Sequence, residues 1–288
     1  MFIELSLLAA FAAMFFWGIG DFLIQRVVRK IGDVEALAFI GIIGSIILIP
    51  FVFKDLNLLL SKSNLILLLI LGVITFFTAL ANFEALKRGK LSVVDVILEF
   101  ELPVTILLGF VFFKETLTTL QFVIISFIFL GILLIATKSK NIKNIFKRIE
   151  KGVFIGIIAA IGMGVVNFLT ATSSKQISPL MAIWVPWVIF TILCLIVIAN
   201  RKNLKNLITN FKEHSFLIIS MGVFDTIAWI FYAFAVLKAE ISITTAITES
   251  YPAIALFLGL WFNKEKINWH QGLGAMIALA SSVLLAIL

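Results

Sequence analysis

Ten runs of about 20 apolar residues, parted by short polar stretches, set the pattern of this chain. They fall at about 5–25, 34–53, 65–86, 92–113, 120–137, 152–174, 180–199, 215–237, 242–262 and 270–288. Coiled as an α-helix, a run of that length covers a hydrocarbon core of roughly 30 Å. Helices follow because each lipid-facing backbone group must find its hydrogen bond within its own segment. A membrane barrel would show strands of about ten residues with alternating polarity, and these runs do not alternate. The pattern predicts an all-α integral membrane protein of ten transmembrane helices. The opening MFIELSLLAAF lacks the basic start and small-residue cleavage site of a signal peptide, so it reads as the first span, retained.

The second half repeats the first. When residues 91–138 are laid on 241–288, a shift of 150 positions, about eleven residues coincide. They include Ser92/Ser242, Glu99/Glu249, Gly109/Gly259, Phe112/Phe262, Lys114/Lys264, Glu115/Glu265 and Gln121/Gln271. WGIGDFL at 17–23 likewise lies on MGVVNFL at 163–169, which sets Gly18 on Gly164 and Asp21 on Asn167. Residues 1–138 form one five-helix repeat, 139–151 a basic linker loop, and 152–288 the second repeat. Five is odd, so the second copy enters the membrane from the opposite face. Two inverted five-helix repeats are the build of alternating-access transporters, with the site near the midplane between them.

Lys and Arg divide 18 to 5 between the two sides of this topology. The positive-inside rule puts the richer side, with KSKNIKNIFKRIEKG (138–152), in the cytoplasm and both termini outside. The net charge of +7 is accounted for by this asymmetry, so it implies no nucleic acid; anionic lipid headgroups are the expected contact. Hydrophobic residues make up 62% of the chain and charged ones 14%, against roughly 45–50% and 25% in soluble domains. The single cysteine, Cys194, excludes an internal disulfide and a Cys-based metal site. His214 and His270 fall in or beside polar loops and read as solvated. No cofactor is expected.

Seven carboxylates lie within the spans: Asp21, Glu84, Asp95, Glu99, Glu101, Asp225 and Glu249. A charge at the bilayer centre costs roughly 2.5–3.5 kcal/mol on insertion scales, which makes each a functional candidate. Glu84 can pair with Lys87 and Arg88 one turn on. Asp95, near its span's entrance, shares a helix face with Glu99 and divides evenly between structural and functional readings. Glu99 and Glu249 occupy matching depths in spans 4 and 9, each followed by a proline, Pro103 or Pro252. Proline cannot donate to the carbonyl four residues back, so the carbonyls of Glu99 and Thr248 should be freed beside the carboxylates. Glu99 is the first candidate for the residue that trades a proton for substrate. Glu101 points nearly opposite to Glu99, so the two should not line one narrow cavity together.

Span 8 carries Asp225, Trp229 and Tyr232 on one face, and span 1 carries Trp17, Asp21 and Gln25. Trp184 and Trp187 flank Pro186, while Asn82 and Asn167 add neutral polar groups in spans 3 and 6. The expected interior is acidic and aromatic with no fixed cation. Protons on such carboxylates can be exchanged for a cationic substrate, and Trp and Tyr faces attract organic cations. Phosphate or sulfate would instead call for Arg or Lys in the cavity. The substrate class expected is amine- or amino-acid-like, cationic or zwitterionic.

These features resemble the drug/metabolite transporter superfamily, specifically its EamA-type branch. The residues that carry the resemblance are Phe16-Trp17-Gly18 in span 1 and the proline-to-glycine stretches Pro103–Gly109 and Pro252–Gly259. Glu115 and Glu265 close those stretches, and Gln121 and Gln271 open the following spans. The resemblance implies transport of small metabolites or drugs across the cell membrane, often against a proton gradient. Partners would be the small-molecule substrate, protons and membrane lipids, with the chain a monomer or homodimer and not an enzyme. Two features depart from the family. Met163-Gly164 stands where a Trp-Gly would be, and family members usually have cytoplasmic termini. Rival readings are a passive facilitator or channel and an intramembrane enzyme. Against the enzyme, no HExxH, Gly-rich phosphate loop or Ser/His arrangement lies at depth.

Overall fold

A computed structural model describes residues 2–88, 98–136, 151–262 and 268–288. The first repeat contains α1 (Phe2–Ile31), α2 (Asp33–Val52), a 3-10 stretch (Phe53–Leu60), α3 (Lys62–Arg88), α4 (Glu101–Phe113) and α5 (Thr119–Ala136). The second contains α6 (Lys151–Gln176), α7 (Pro179–Asn200), α8 (Leu204–Ala235), α9 (Ile241–Thr248), α10 (Pro252–Phe262) and α11 (Trp269–Ile287). Spans 1–3 are α1–α3, spans 4 and 5 include α4 and α5, and spans 6–8 are α6–α8. Span 9 is α9 with α10, and span 10 is α11. Among the described residues eight helical spans are long and apolar enough to cross a bilayer, and Glu101–Phe113 and Thr119–Ile135 are shorter apolar helices. The chain is an all-α integral membrane protein of ten spans in two inverted five-helix repeats.

Local chemistry explains most boundaries. Gly32, at φ 96°, turns the chain between α1 and α2, a backbone region that glycine enters without strain. Pro179 opens α7, where a missing N–H costs nothing. Gln121 and its counterpart Gln271 do the same work at the starts of α5 and α11. The side-chain oxygen of Gln121 accepts from Thr118 N at 2.9 Å, and that of Gln271 from Asn268 N at 3.0 Å.

One boundary departs from expectation. Span 8 was expected from 215, with His214 at a loop. Instead α8 begins at Leu204 and bends at His214, whose φ of −129° and ψ of 24° are non-helical. The stretch is helical because Leu204, Leu207, Ile208 and Phe211 recur at three- and four-residue spacing. Phe211 stacks on Phe39 with ring centres 5.7 Å apart.

The packing shows the two-fold relation. Span 1 packs on span 8 and span 3 on span 6; span 4 meets span 6, and span 9 meets span 1. Spans 2 and 7 pack together, as do 5 and 10. Exchanging the halves leaves that set unchanged. Close approaches follow the same rule. A Cβ on Gly18 would lie 2.5 Å from Ile254 Cβ and 3.1 Å from Tyr251 O, and one on Gly164 would lie 2.6 Å from Val104 Cβ and 2.9 Å from Glu101 O. Ile254 and Val104 are 150 positions apart, as are Tyr251 and Glu101.

Spans 5 and 10 touch backbone to backbone. A Cβ on Gly131 would stand 2.7 Å from Gly274 O and 2.8 Å from Ala278 N. Small residues let membrane helices approach this closely, and packing then replaces a hydrophobic drive that lipid does not supply. Gly131→Ala should cost about 1–3 kcal/mol through overpacking. Thermal unfolding in detergent checks this: the apparent Tm falls, whereas an unchanged Tm would mean the helices can separate freely.

Candidate functional site

A cavity of about 120 Å³ lies between the halves, room for a few waters or a small ligand. Its wall carries Trp17, Asp21, Asn82 and Asn167 together with Asp225, Trp229 and Glu249. Matching positions of the two repeats both line it: Asp21 and Asn167, Thr75 and Asp225, Ala79 and Trp229. Glu101 and Tyr251, one shift of 150 apart, also line it.

Two expected residues stand elsewhere. Glu99 is buried but is not among the lining residues, and Glu101 takes the place on the wall. The two glutamates do point to different sides, as their spacing requires; the side that meets the cavity is that of Glu101. Tyr232 is wholly buried behind the wall. Its hydroxyl donates to Asn167 O at 3.2 Å and meets Thr245 Oγ1 at 3.1 Å, so it braces the asparagine. The freed carbonyls are likewise corrected. Glu99 O accepts from Leu102 N at 3.4 Å and Thr248 O from Tyr251 N at 3.1 Å. Proline removes the i+4 donor, and each chain tightens to an i+3 bond instead. Both spans nonetheless break here, at Glu99-Phe100 and at Glu249–Tyr251.

Glu249 accepts from Asn167 Nδ2 at 3.2 Å through Oε1, and its carboxyl faces that of Glu101. Asp21 accepts from Gln25 Nε2 at 3.3 Å, the i, i+4 neighbour on its own helix face. Asp225 stands across from Asp21. Trp17 is the aromatic hub: its ring centre lies 4.9 Å from that of Trp229, 5.4 Å from Tyr232 and 6.3 Å from Tyr251. Trp187 also lines the cavity, and its Nε1–H meets no acceptor. Trp184 is tied away from the site, donating to Ser45 O at 3.2 Å. Tyr251 was missed from the sequence, though its counterpart Glu101 was in view. Glu84 lies in a separate recess with Asp33 and Arg201. Asp95, and the side chains of Lys87 and Arg88, lie outside the described residues.

Helix direction shows which way the cavity runs. Asp21 and Ile24 lie in the later part of α1, Asn82 and Phe83 in that of α3, and Leu37 and Ile40 near the start of α2. All three ends belong to the lysine- and arginine-rich face. The opposite face is held shut across the halves. Glu115, following α4, accepts from Ile241 N at 2.5 Å, Ser242 N at 3.0 Å and Ser242 Oγ at 2.6 Å. Lys175 Nζ donates to Ala239 O at 3.1 Å, and Ser178 Oγ donates to Asp55. Burial and the neighbouring Glu115 push the Glu240 carboxyl at this face above its ordinary value, with Lys175 opposing.

Two inverted five-helix halves around a polar cavity define a membrane transporter of small molecules. The chain belongs to the EamA-like transporter family, whose model matches residues 4–137 and again 150–287. It is similar to an uncharacterised protein of Methanocaldococcus jannaschii, 28% identical over 138 residues, which take in 48% of this chain and 98% of that protein. A relative no longer than one repeat agrees with a duplicated unit. A crystal structure of a protein only 12% identical shares the fold, with a TM-score of 0.75 over 98% of this chain and 99% of that one.

Proposed function

We propose that the protein is a proton-coupled secondary transporter that exports small cationic or zwitterionic organic molecules, amine- or amino-acid-like, across the cell membrane. The observation that carries this reading is the cavity wall. Asp21, Glu101, Asp225 and Glu249 line it together with Trp17, Trp187 and Trp229, and among the described residues no Lys, Arg or His lines it. Carboxylates crowded into an apolar interior repel one another until protons or a cation neutralise them. The indole faces add attraction for an ammonium group. Alternating access is supported by the inverted repeats and by a cavity that reaches toward one face while the other is clasped.

Proteoliposomes holding the full chain test this. Under an imposed pH gradient, labelled amines should accumulate above their equilibrium level, and collapse of the gradient should release them. Downhill leak alone would make the protein a passive facilitator. Accumulation of sulfated or phosphorylated compounds in place of amines would overturn the cation reading.

A further inference from the structure

We infer that the cavity is built for a dication, a linear diamine or longer polyamine, with one ammonium group at each of two carboxylate pairs. This rests on the cation reading above and narrows it. The four described carboxylates of the lining sort into Asp21 with Asp225 and Glu101 with Glu249, with Asp21 also acting on Glu101. Each pair takes one member from each half of the chain. The first pair forms where α1 and α8 meet, and a Cβ on Gly20 would lie 3.5 Å from Asp225 N. The second forms at the two broken spans, where Glu249 is 2% and Glu101 8% exposed.

One buried polar atom on a residue of the cavity wall points to a ligand independently of the carboxylates. Asn82 Oδ1 is buried and meets no donor among the described residues; the Trp187 Nε1–H also meets no acceptor there, but it packs against Gly44 and, as a donor, offers nothing to an ammonium group. Asn82 Oδ1 suits an ammonium hydrogen. Aromatic rings link the two pairs: Trp17 contacts Trp229, one turn from Asp225, and Tyr251, two residues from Glu249. An aromatic divider between two anionic ends matches methylenes between two ammonium groups.

Charge counting separates the candidates. With one proton held in each pair the site carries two negative charges, which a dication cancels. A monoamine leaves one pair uncompensated, and a zwitterion sets its own carboxylate against the other pair. When the dication leaves, one further proton can enter each pair. Exchange is then two protons for one dication, with no net charge moved. Among the described residues the other titratable groups acting on the pairs are Glu99, which acts on Glu249, and the phenols of Tyr232 and Tyr251.

The test uses the purified full chain and linear α,ω-diamines of three to eight carbons, each beside the monoamine and the ω-amino acid of the same length. Binding is read by equilibrium dialysis. The best diamine should bind at least about tenfold tighter than its monoamine, modest against the 10²–10⁴ that linking two contacts can give. Asp225→Asn and Glu249→Gln should each bring the diamine down to the monoamine's level, in variants that elute and melt as the parent does. Competition between the two ligands on the unmodified protein gives the same answer if a variant misfolds. In proteoliposomes, a pH gradient should drive diamine uptake and a membrane potential alone should not. Equal binding of diamine and monoamine would overturn the dication and leave the cation reading standing. Binding of the ω-amino acids with no binding of either amine would likewise overturn the dication alone, whereas binding of neutral compounds only would overturn both.

Discussion

Replacing Glu249 with glutamine is expected to reduce pH-gradient-driven accumulation in proteoliposomes to the level of protein-free vesicles. Glu249 is the most buried of the four lining carboxylates, sits at the break of span 9 and faces Glu101 from the other half. Glutamine keeps the size and a carbonyl oxygen for the 3.2 Å bond from Asn167, so the fold and the substrate space are preserved. What it removes is the proton site, and ionisable residues at such depth are the usual proton relays of transporters. Exchange of labelled for unlabelled substrate needs no net proton movement and should survive in the variant. Glu99→Gln separates this assignment from its rival. Glu99 matches Glu249 in the repeat but does not line the cavity, so its loss should slow accumulation without abolishing it. Full activity in Glu249→Gln with none in Glu99→Gln would move the coupling site to Glu99.

The placement of Glu101 rather than Glu99 on the cavity wall shows where sequence reasoning stops. The spans, the duplication and the inversion are written in apolar run lengths and in a 150-residue shift, because lipid leaves the backbone few choices. The acidic and aromatic makeup of the interior was legible for the same reason: a carboxylate in a span is too costly to be incidental. Which carboxylate meets the cavity was not. Glu99 and Glu101 lie two residues apart at a helix break, and their facing depends on how span 4 rotates against Gly164 and span 9 against Gly18. The repeat itself held a clue, since Glu101 aligns with Tyr251 and both line the wall. The prolines misled in a specific way. They do break the spans, but a tightened turn uses the carbonyls they would have freed. Tyr232 looked like wall from its i, i+7 place on the Asp225 face, and its hydroxyl instead turns to Asn167 O and Thr245. A polar contact between spans far apart in sequence leaves no periodic trace.

Glu115→Gln is expected to open the cavity toward the face that is clasped in this structure. The Glu115 carboxylate joins the turn after α4 in one half to the start of α9 in the other, taking two backbone N–H groups and the Ser242 hydroxyl. Hydrogen bonds to a charged group are each worth roughly 1.5–3 kcal/mol. An amide keeps one acceptor oxygen and turns an NH₂ toward N–H donors, so most of that stabilisation is lost. Gly109 marks how closely the clasp fits: a Cβ there would stand 2.8 Å from Glu115 Oε2. In an alternating-access protein the loss falls only on the state that makes these contacts, and 1.4 kcal/mol already shifts a two-state ratio about tenfold. The reporter is Met163→Cys, on the cavity wall, in a Cys194→Ala background with an impermeant maleimide. Asn144→Cys, in the basic loop outside the described residues, fixes which face is which; it should react only in permeabilised cells if that loop is cytoplasmic. Added to the Met163→Cys reporter, Glu115→Gln should raise labelling from the face opposite Asn144 by severalfold and lower it from the Asn144 face. A rise from both faces would mean a loosened bundle rather than a released clasp. Unchanged labelling would make the Glu115 bonds a permanent joint of the fold, kept in both states.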